Sequence, residues 1–440
     1  MPNSRLVQTP GHVFYNRLNE LLATHRFDAR VEQLCRRFYT GPRGQPSLPP
    51  GIYFRCLLIG FFEGLDSERG IAWRVADSLS LRKFLGYGID EQTPDHSTIS
   101  RTRRLFWLST HRAVFRWVLR VLKAEGLLTG KTIAIDATTL EANAAMRSIV
   151  RRDTGEAYDA YITRLAQAAG IEHPTREQLA RFDRKRKKKG SNQEWQHPDD
   201  PDARITRMKD GRTHLAHKAE HAVDVSSGAL LELTLHPADA GDTTTGLATL
   251  AAAQATARAV GLPPIQETVL DKGYHSNAVL VTLEADAVRS YVSEPKRKRR
   301  RWRDQPDAAA AQRALYANRR RLRGRRNKRL QAQRAEFCER SNAHLYETGA
   351  MRRVHLRGRE NILKRLLLHG AGFNLALVMR TTYGVGTPRG LQGRVAVFRN
   401  IVRRLRTCLR AGGCSFRETL ATLLPGGRSQ RLPFQEPTLA

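Results

Sequence analysis

Residues 132–136 read Thr-Ile-Ala-Ile-Asp and residues 268–271 read Thr-Val-Leu-Asp. Each is a short apolar run ending in a carboxylate, the pattern of a buried strand that stops at an edge. Between them, Leu215, His217, Ala219, His221 and Val223 alternate on one face. Ser226-Ser227-Gly228 then supplies a turn, and 230–235 returns, which predicts a hairpin. The Ala-rich stretch 242–260 predicts a helix stopped by Gly261 and Pro263-Pro264. A further helix is expected at 277–285, a short strand at 289–292 and an Arg-rich helical pattern at 309–334. The order strand, hairpin, helix, strand, helix, strand, helix predicts a mixed α/β (α+β) fold whose sheet combines antiparallel and parallel pairs. If the two opening strands are parallel neighbours, Asp136 and Asp271 stand one strand spacing apart, about 4.8 Å.

Upstream the pattern is helical throughout. Residues 12–40 place Phe14, Leu18, Leu21, Leu22, Phe27 and Leu34 mostly at three- and four-residue steps. Residues 51–64 are strongly apolar yet too short to span a membrane, which suits a buried helix. Helices follow at 67–78 and 80–85. Another begins with Thr93 as N-cap, Pro94 at the first helical position and Asp95 in the first turn, and carries Ser97, Ser100, Arg101, Arg103 and Arg104. A last helix at 109–125 precedes the break at Gly126–Gly130. The expected division is a helical domain at 1–126, a mixed-sheet domain at 130–380 with basic helical insertions, and a partly helical tail at 381–440.

The chain of 440 residues carries 75 Lys and Arg against 42 Asp and Glu, a net charge of +33. That excess calls for a polyanionic partner, nucleic acid before an anionic membrane surface. No run of 18 uncharged apolar residues occurs, so a membrane span is not expected, and Met1–Thr9 does not read as a secretory signal. The five cysteines (Cys35, Cys56, Cys338, Cys408, Cys414) are scattered and fit neither a zinc finger nor a disulfide framework, which points to free thiols in a reducing cytoplasm.

An Asp just past a strand is often only a turn former, and Lys272-Gly273 after Asp271 fits that reading. Two adjoining carboxylates in so basic a chain carry more chemistry. Their repulsion would be relieved by hard divalent cations, and paired ions serve phosphodiester chemistry. Glu336, Glu339 and Glu347 are all candidates for a third acid. The basic runs 184–189, 296–303 and 319–329 suit either a solvated surface or a phosphate backbone. Trp195 and Trp302 suit either packing or stacking on an unpaired base. His214, His217 and His221 do not form a zinc site, since His217 and His221 lie ~13 Å apart along a strand.

The ordered set IAIDATTLEANAA (133–145), LAHKAEHAVDVSSG (215–228), GDTTT (241–245), VLDKGYHS (269–276) and the 338–380 segment beginning CERSNAHLYETGAMRR resembles the bacterial insertion-sequence transposases of the DDE class. The segments LPPGIYFRCLLIGFFEGLDSERGIAWR and TPDHSTISRTR resemble the helical N-terminal domain found in one group of them, and the likeness runs from about Gly11 to Arg394. The resemblance implies an RNase H-like catalytic core with Asp136, Asp271 and Glu339 as catalytic acids and metal ligands for Mg2+ or Mn2+, as two ions. It implies DNA contact or site support from Lys272, Tyr274, Arg340, Arg352, Arg353, Arg357 and Lys364, beside Ser100, Arg101, Arg103 and Arg104 of the helical domain. An activated water would cleave at the element end, and the freed 3′ hydroxyl would attack target DNA. The partners implied are double-stranded DNA, as element ends and target, and a second copy of the chain. The compartment implied is the cytoplasm, on the nucleoid. Asn342, where an aromatic is usual, and His217, where Tyr is usual, depart from the pattern. A decayed or domesticated DNA-binding protein, or a metal nuclease without strand transfer, are the alternatives.

Overall fold

The computed structural model describes residues 10–39, 47–187, 190–208, 210–296, 302 and 308–391. The segment 392–440 with Cys408 and Cys414, and most of the basic run 296–303, lie outside the described residues. The N-terminal part is helical: α1 (Pro10–Thr24), α2 (Phe27–Cys35), α3 (Pro50–Glu63), α4 (Glu68–Asp77), α5 (Leu79–Leu85), α6 (His96–Leu105) and α7 (Leu108–Ala124). Helix α3 is apolar nearly all round and is buried along most of its length, with Pro50 opening it and Gly64 closing it at φ 68°. Helix α6 starts later than its sequence predicts. Asp95, not Thr93, is the N-cap, because its carboxylate accepts from Ser97 N at 2.7 Å.

Strand β1 (Thr132–Glu141) opens the sheet-bearing part. After it come β2 (Val150–Arg151), α8 (Tyr158–Ala168), α9 (Arg176–Lys185), β3 (Trp195–Gln196) and β4 (Arg204–Arg207). Then follow β5 (Thr213–Asp224), β6 (Leu230–Pro237), α10 (Asp242–Ala259), β7 (Glu267–Leu270), α11 (Asn277–Ala285), β8 (Arg289–Val292), α12 (Ala308–Leu322), α13 (Arg325–Asn342) and α14 (Arg359–Tyr383). The predicted helix at 309–334 is thus two helices, because Gly324 serves as the N-cap of a new one.

The main sheet runs β4-β5-β1-β7-β8, with β6 also pairing β5. Strand β1 is antiparallel to β5 and parallel to β7, and β7 is parallel to β8. An antiparallel β6-β5-β1 half continued by two parallel strands, with helices as crossovers, is the RNase H-like arrangement. Ile133, Ala134 and Ile135 are fully buried, as the central strand requires. Entry to β1 is fixed by Asp224, whose carboxylate accepts from Thr129 N and Gly130 N, each at 2.8 Å.

The hydrophobic core passes without a break from the helices into the sheet. Its spine is α14, which packs on α3, α7 and β6. Gly370 and Gly372 allow that packing: a Cβ on the first would run into Leu233 Cδ1, and one on the second would lie 2.5 Å from Phe61 Cδ1. By length and composition α14 could cross a membrane, but it holds no uncharged run of 18 residues and 94% of its apolar window is buried inside the protein, as the sequence reading expects. Trp195 is buried against Tyr158 and Tyr161 in a small second core beside β2 and β3, and Trp302 packs against the main core. In the 319–329 run, Arg319 pairs with Glu294, Arg321 bonds Ser290 and Arg326 pairs with Glu267. That run is therefore partly neutralised within the fold.

Candidate active site

Strand β1 does not end at Asp136, as its composition predicts; it continues to Glu141 on β5. What ends is its other neighbour. The β1/β7 pairing stops at Ala134↔Val269 and β7 itself at Leu270. Continuing this register by two residues sets Asp136 level with Asp271, on the same side of the sheet and about 5 Å away across the strands. Further along, residues 352–354 take up the vacated edge: Glu141 N donates to Arg352 O (3.0 Å) and Val354 N to Glu141 O (2.9 Å). The two acids therefore stand beside the gap, or notch, between the end of β7 and Arg352. Arg352 Nη1 reaches Thr138 Oγ1 at 3.0 Å, and the same guanidinium pairs with Glu347.

Helix α13 covers this face of the sheet. Asn342 Nδ2 donates to Asp136 Oδ2 at 3.0 Å, and Arg334 Nη1 stands 3.7 Å from Asp136 Oδ1. Burial raises the Asp136 carboxyl above the ordinary aspartate range and the charge of Asp271 adds to this, while Arg334 and Asn342 pull it back. Glu339 extends from the same helix with its side chain exposed. Burial pushes up the neighbouring Cys338 thiol, and the charges of Asp136, Asp271 and Glu339 act on it in the same sense. Among the described residues, no three acids, histidines or cysteines close to a metal-holding distance.

The donors present suit a hard divalent cation. Two carboxylates adjoin, one of them raised by burial, and Asn342 Oδ1 is buried with no hydrogen-bond partner. His221, opposite Asp136 on β5, is enclosed: its Nε2 meets Ser341 Oγ at 3.1 Å, and burial lowers its pKa to about 4. It docks α13 and is no metal ligand. His217 bonds buried Asp200 at 3.0 Å, as a hydrogen-bonding role predicts.

Asp271 caps the turn 272–274 by accepting from Gly273 N at 2.7 Å, so its turn-forming reading also holds. The end of that turn is anchored from below. The Tyr274 hydroxyl donates to Glu220 Oε1 at 3.3 Å, and fully buried Glu220 also accepts from Thr245 and from Thr249 at 2.6 Å and forms an ion pair with Lys218 at 3.2 Å. Lys218 in turn pairs with Asp242 at 2.6 Å. Tyr274 is therefore a buried brace and presents no surface to DNA. Lys364 is also enclosed, paired with Glu360 at 2.8 Å, and Arg103 is buried against Glu68.

The other basic candidates reach the surface. Lys272, Arg101, Arg104 and Arg353 are exposed, and Arg340 pairs with Glu336 while covering Phe337. Ser100, Arg103 and Arg104 of α6 line one open cleft of about 450 Å³ with Asn143, His355 and Arg357 of the sheet-bearing part. The fold thus gathers candidates that are far apart in sequence.

Sequence reasoning missed Arg334 and the Lys218–Glu220–Tyr274 anchor. A signal for the first exists: Leu330, Arg334, Cys338 and Ser341 follow helical spacing, and the other three are buried, so an arginine interrupts an inward-facing row.

Residues 4–105 match the family model described as Transposase domain (DUF772), and residues 129–375 match the one described as Transposase DDE domain. No curated protein and no solved structure matches the chain. The DDE model spans more than half of the chain and contains Asp136, Asp271, Glu339 and the helices that hold them. The chain therefore belongs to the DDE transposases, DNA-transposing enzymes of the RNase H-like superfamily that depend on metal for catalysis.

Proposed function

We propose that this transposase serves an insertion sequence, binding its terminal inverted repeats, cleaving at the element ends and joining them to target DNA in a complex of at least two copies. Asp136, Asp271 and Glu339 are the acids of the reaction and would hold two Mg2+ or Mn2+ ions. Such ions, when bound, neutralise charge on the phosphodiester and favour deprotonation of the attacking hydroxyl. Residues 1–126 form the recognition part and 130–380 the catalytic part, and the enzyme works on the nucleoid in the cytoplasm.

The observation that carries this reading is the β1/β7 register, which brings Asp136 and Asp271 level where β7 stops. The chain's own residues do the positioning. Asp136 sits within a strand buried on its approach, with one oxygen set by Asn342. Asp271 sits on a turn anchored through Tyr274 to Glu220. Glu339 arrives from α13, which His221 and Ser341 fasten to the sheet. DNA reaches the notch by way of the cleft between α6 and Arg357, whose mixed origin fits one duplex contacted by both parts.

The test is cleavage and joining on a plasmid carrying the gene with its flanking DNA. Asp136→Asn, Asp271→Asn and Glu339→Gln should each lower cleavage by about a thousandfold or more while DNA binding persists. Cleavage surviving in any of the three rejects its place among the acids. Cleavage by the wild type without a joined product rejects strand transfer and leaves a nuclease.

A further inference from the structure

Nothing in the chemistry above uses Arg334. It lies on the inward row of α13, with Leu330 and Cys338 buried one turn to either side. A partly desolvated guanidinium is costly in such a row unless a charge meets it. The charge is Asp136, with Nη1 to Oδ1 at 3.7 Å, and Arg334 Nε donates to Gln331 Oε1 at 3.3 Å. The separation is that of an ion pair and exceeds the 2.7–2.9 Å typical of charge-assisted hydrogen bonds. Asn342 therefore sets the orientation of Asp136, and Arg334 supplies mainly charge. The guanidinium carries five N–H donors, and its contacts among the described residues leave most of them unspent.

We propose that Arg334 is a phosphate-binding residue of the transposition reaction, held beside Asp136 until the carboxylates are otherwise neutralised. In the ion-free protein it offsets the repulsion between Asp136 and Asp271. Once divalent ions take over that compensation, its planar fork is released to the non-bridging oxygens of the phosphate lying over the notch, for which arginine geometry is suited. The proposal rests on Asp136 and Asp271 being ion ligands. A residue that neutralises Asp136 competes with the ion, whereas a purely structural brace would support ion binding, so the two roles have opposite signs.

The experiment titrates Mn2+ alone into the full chain by calorimetry. It also measures cleavage of the plasmid carrying the gene and its flanking DNA at saturating Mn2+. Arg334→Ala and Arg334→Gln should bind Mn2+ about tenfold more tightly than wild type, and Arg334→Lys near wild type. Despite the tighter binding, cleavage should fall about a hundredfold in R334A and R334Q, with R334K restoring it only in part. Mn2+ binding that is equal or weaker in R334Q, in a chain that still melts cooperatively, overturns the proposal, as does tighter binding with undiminished cleavage. R334Q keeps a polar side chain of similar reach, so a folding failure of R334A does not remove the test. The variants D136A and D271A separate the underlying reading. If Mn2+ binding survives in both, the ion-ligand assignment fails. If it is lost in them while R334Q binds no tighter, only the role of Arg334 fails.

Discussion

Replacing Gly246 with Ala tests whether the turn carrying Asp271 is held in place from below. Gly246 lies within α10, where a Cβ would stand 2.5 Å from Tyr274 Cδ1 and 2.7 Å from Cε1. Carbon atoms in contact sit about 3.5–4.0 Å apart, so the ring must move by about 1 Å. Overpacking of this kind costs about 1–3 kcal/mol, while Gly→Ala in a helix interior returns about 1 kcal/mol. Net stability should therefore fall by no more than about 2 kcal/mol. The ring cannot move alone, because Tyr274 ends the turn that Asp271 caps and its hydroxyl is tied to Glu220. A displacement of about 1 Å at a reacting group costs on the order of a hundredfold in rate. The measurement pairs single-turnover cleavage with urea denaturation. The expected result is a rate loss of about a hundredfold that the small change in stability cannot explain. Tyr274→Phe is the control, since it keeps the ring and removes one hydrogen bond worth about 1 kcal/mol, leaving the rate within about threefold. Wild-type cleavage by G246A in a stably folded chain would refute the bracing of Asp271 by Tyr274.

Other outcomes follow from the same geometry. Burial lowers the His111 pKa to about 3, and the ring lies between the Tyr53 hydroxyl at 2.9 Å and Trp107 O at 3.0 Å. Because the folded value is depressed, this contribution is present above the ordinary histidine pKa near 6.5 and is lost as pH falls toward 3. By pH 5.5 only the unfolded chain has taken up the proton, a loss of about 1.4 kcal/mol. Denaturation of His111→Gln should be less pH-dependent than wild type between pH 7.5 and 5.5 by about that amount, and equal slopes would count against a neutral folded His111. Mn2+ at about one hundred times its dissociation constant should stabilise the chain by ~2.7 kcal/mol, and Asp271→Asn should remove the effect. A thermal melt with and without chelator checks this. Arg104→Ala and Arg357→Ala, from opposite walls of the cleft, should each weaken binding to the flanking DNA and lower the salt dependence of affinity by about one ion. Unchanged slopes in filter binding would remove that cleft from the DNA path.

What the residues foretold, and what they did not, divides along the range of the forces involved. Helix and strand patterns are local. The hairpin at 215–235, the helix at 242–260 and the strands at 132 and 268 follow from spacing and turn chemistry within a few residues. The adjacency of Asp136 and Asp271 needed only the further condition that their strands pair in parallel, and they do. The limits of β1 were not legible in its own residues, because its continuation to Glu141 depends on β5 and on residues 352–354. No arrangement of residues 132–141 announces partners about 80 and 210 positions away. The side chains that serve the site indirectly were hidden for the same reason. Glu220 and Lys218 fall on the face of β5 opposite His217, Ala219 and His221, and both are buried because α10 brings Thr245, Thr249 and Asp242 over them. The resemblance marks Tyr274 and Lys364 for DNA contact or site support, and packing against α10 and α6 turns both inward, to support. A motif thus marks the reacting group itself, while its neighbours are free to be structural. Telling the two apart requires knowing which face of the element the core has already claimed.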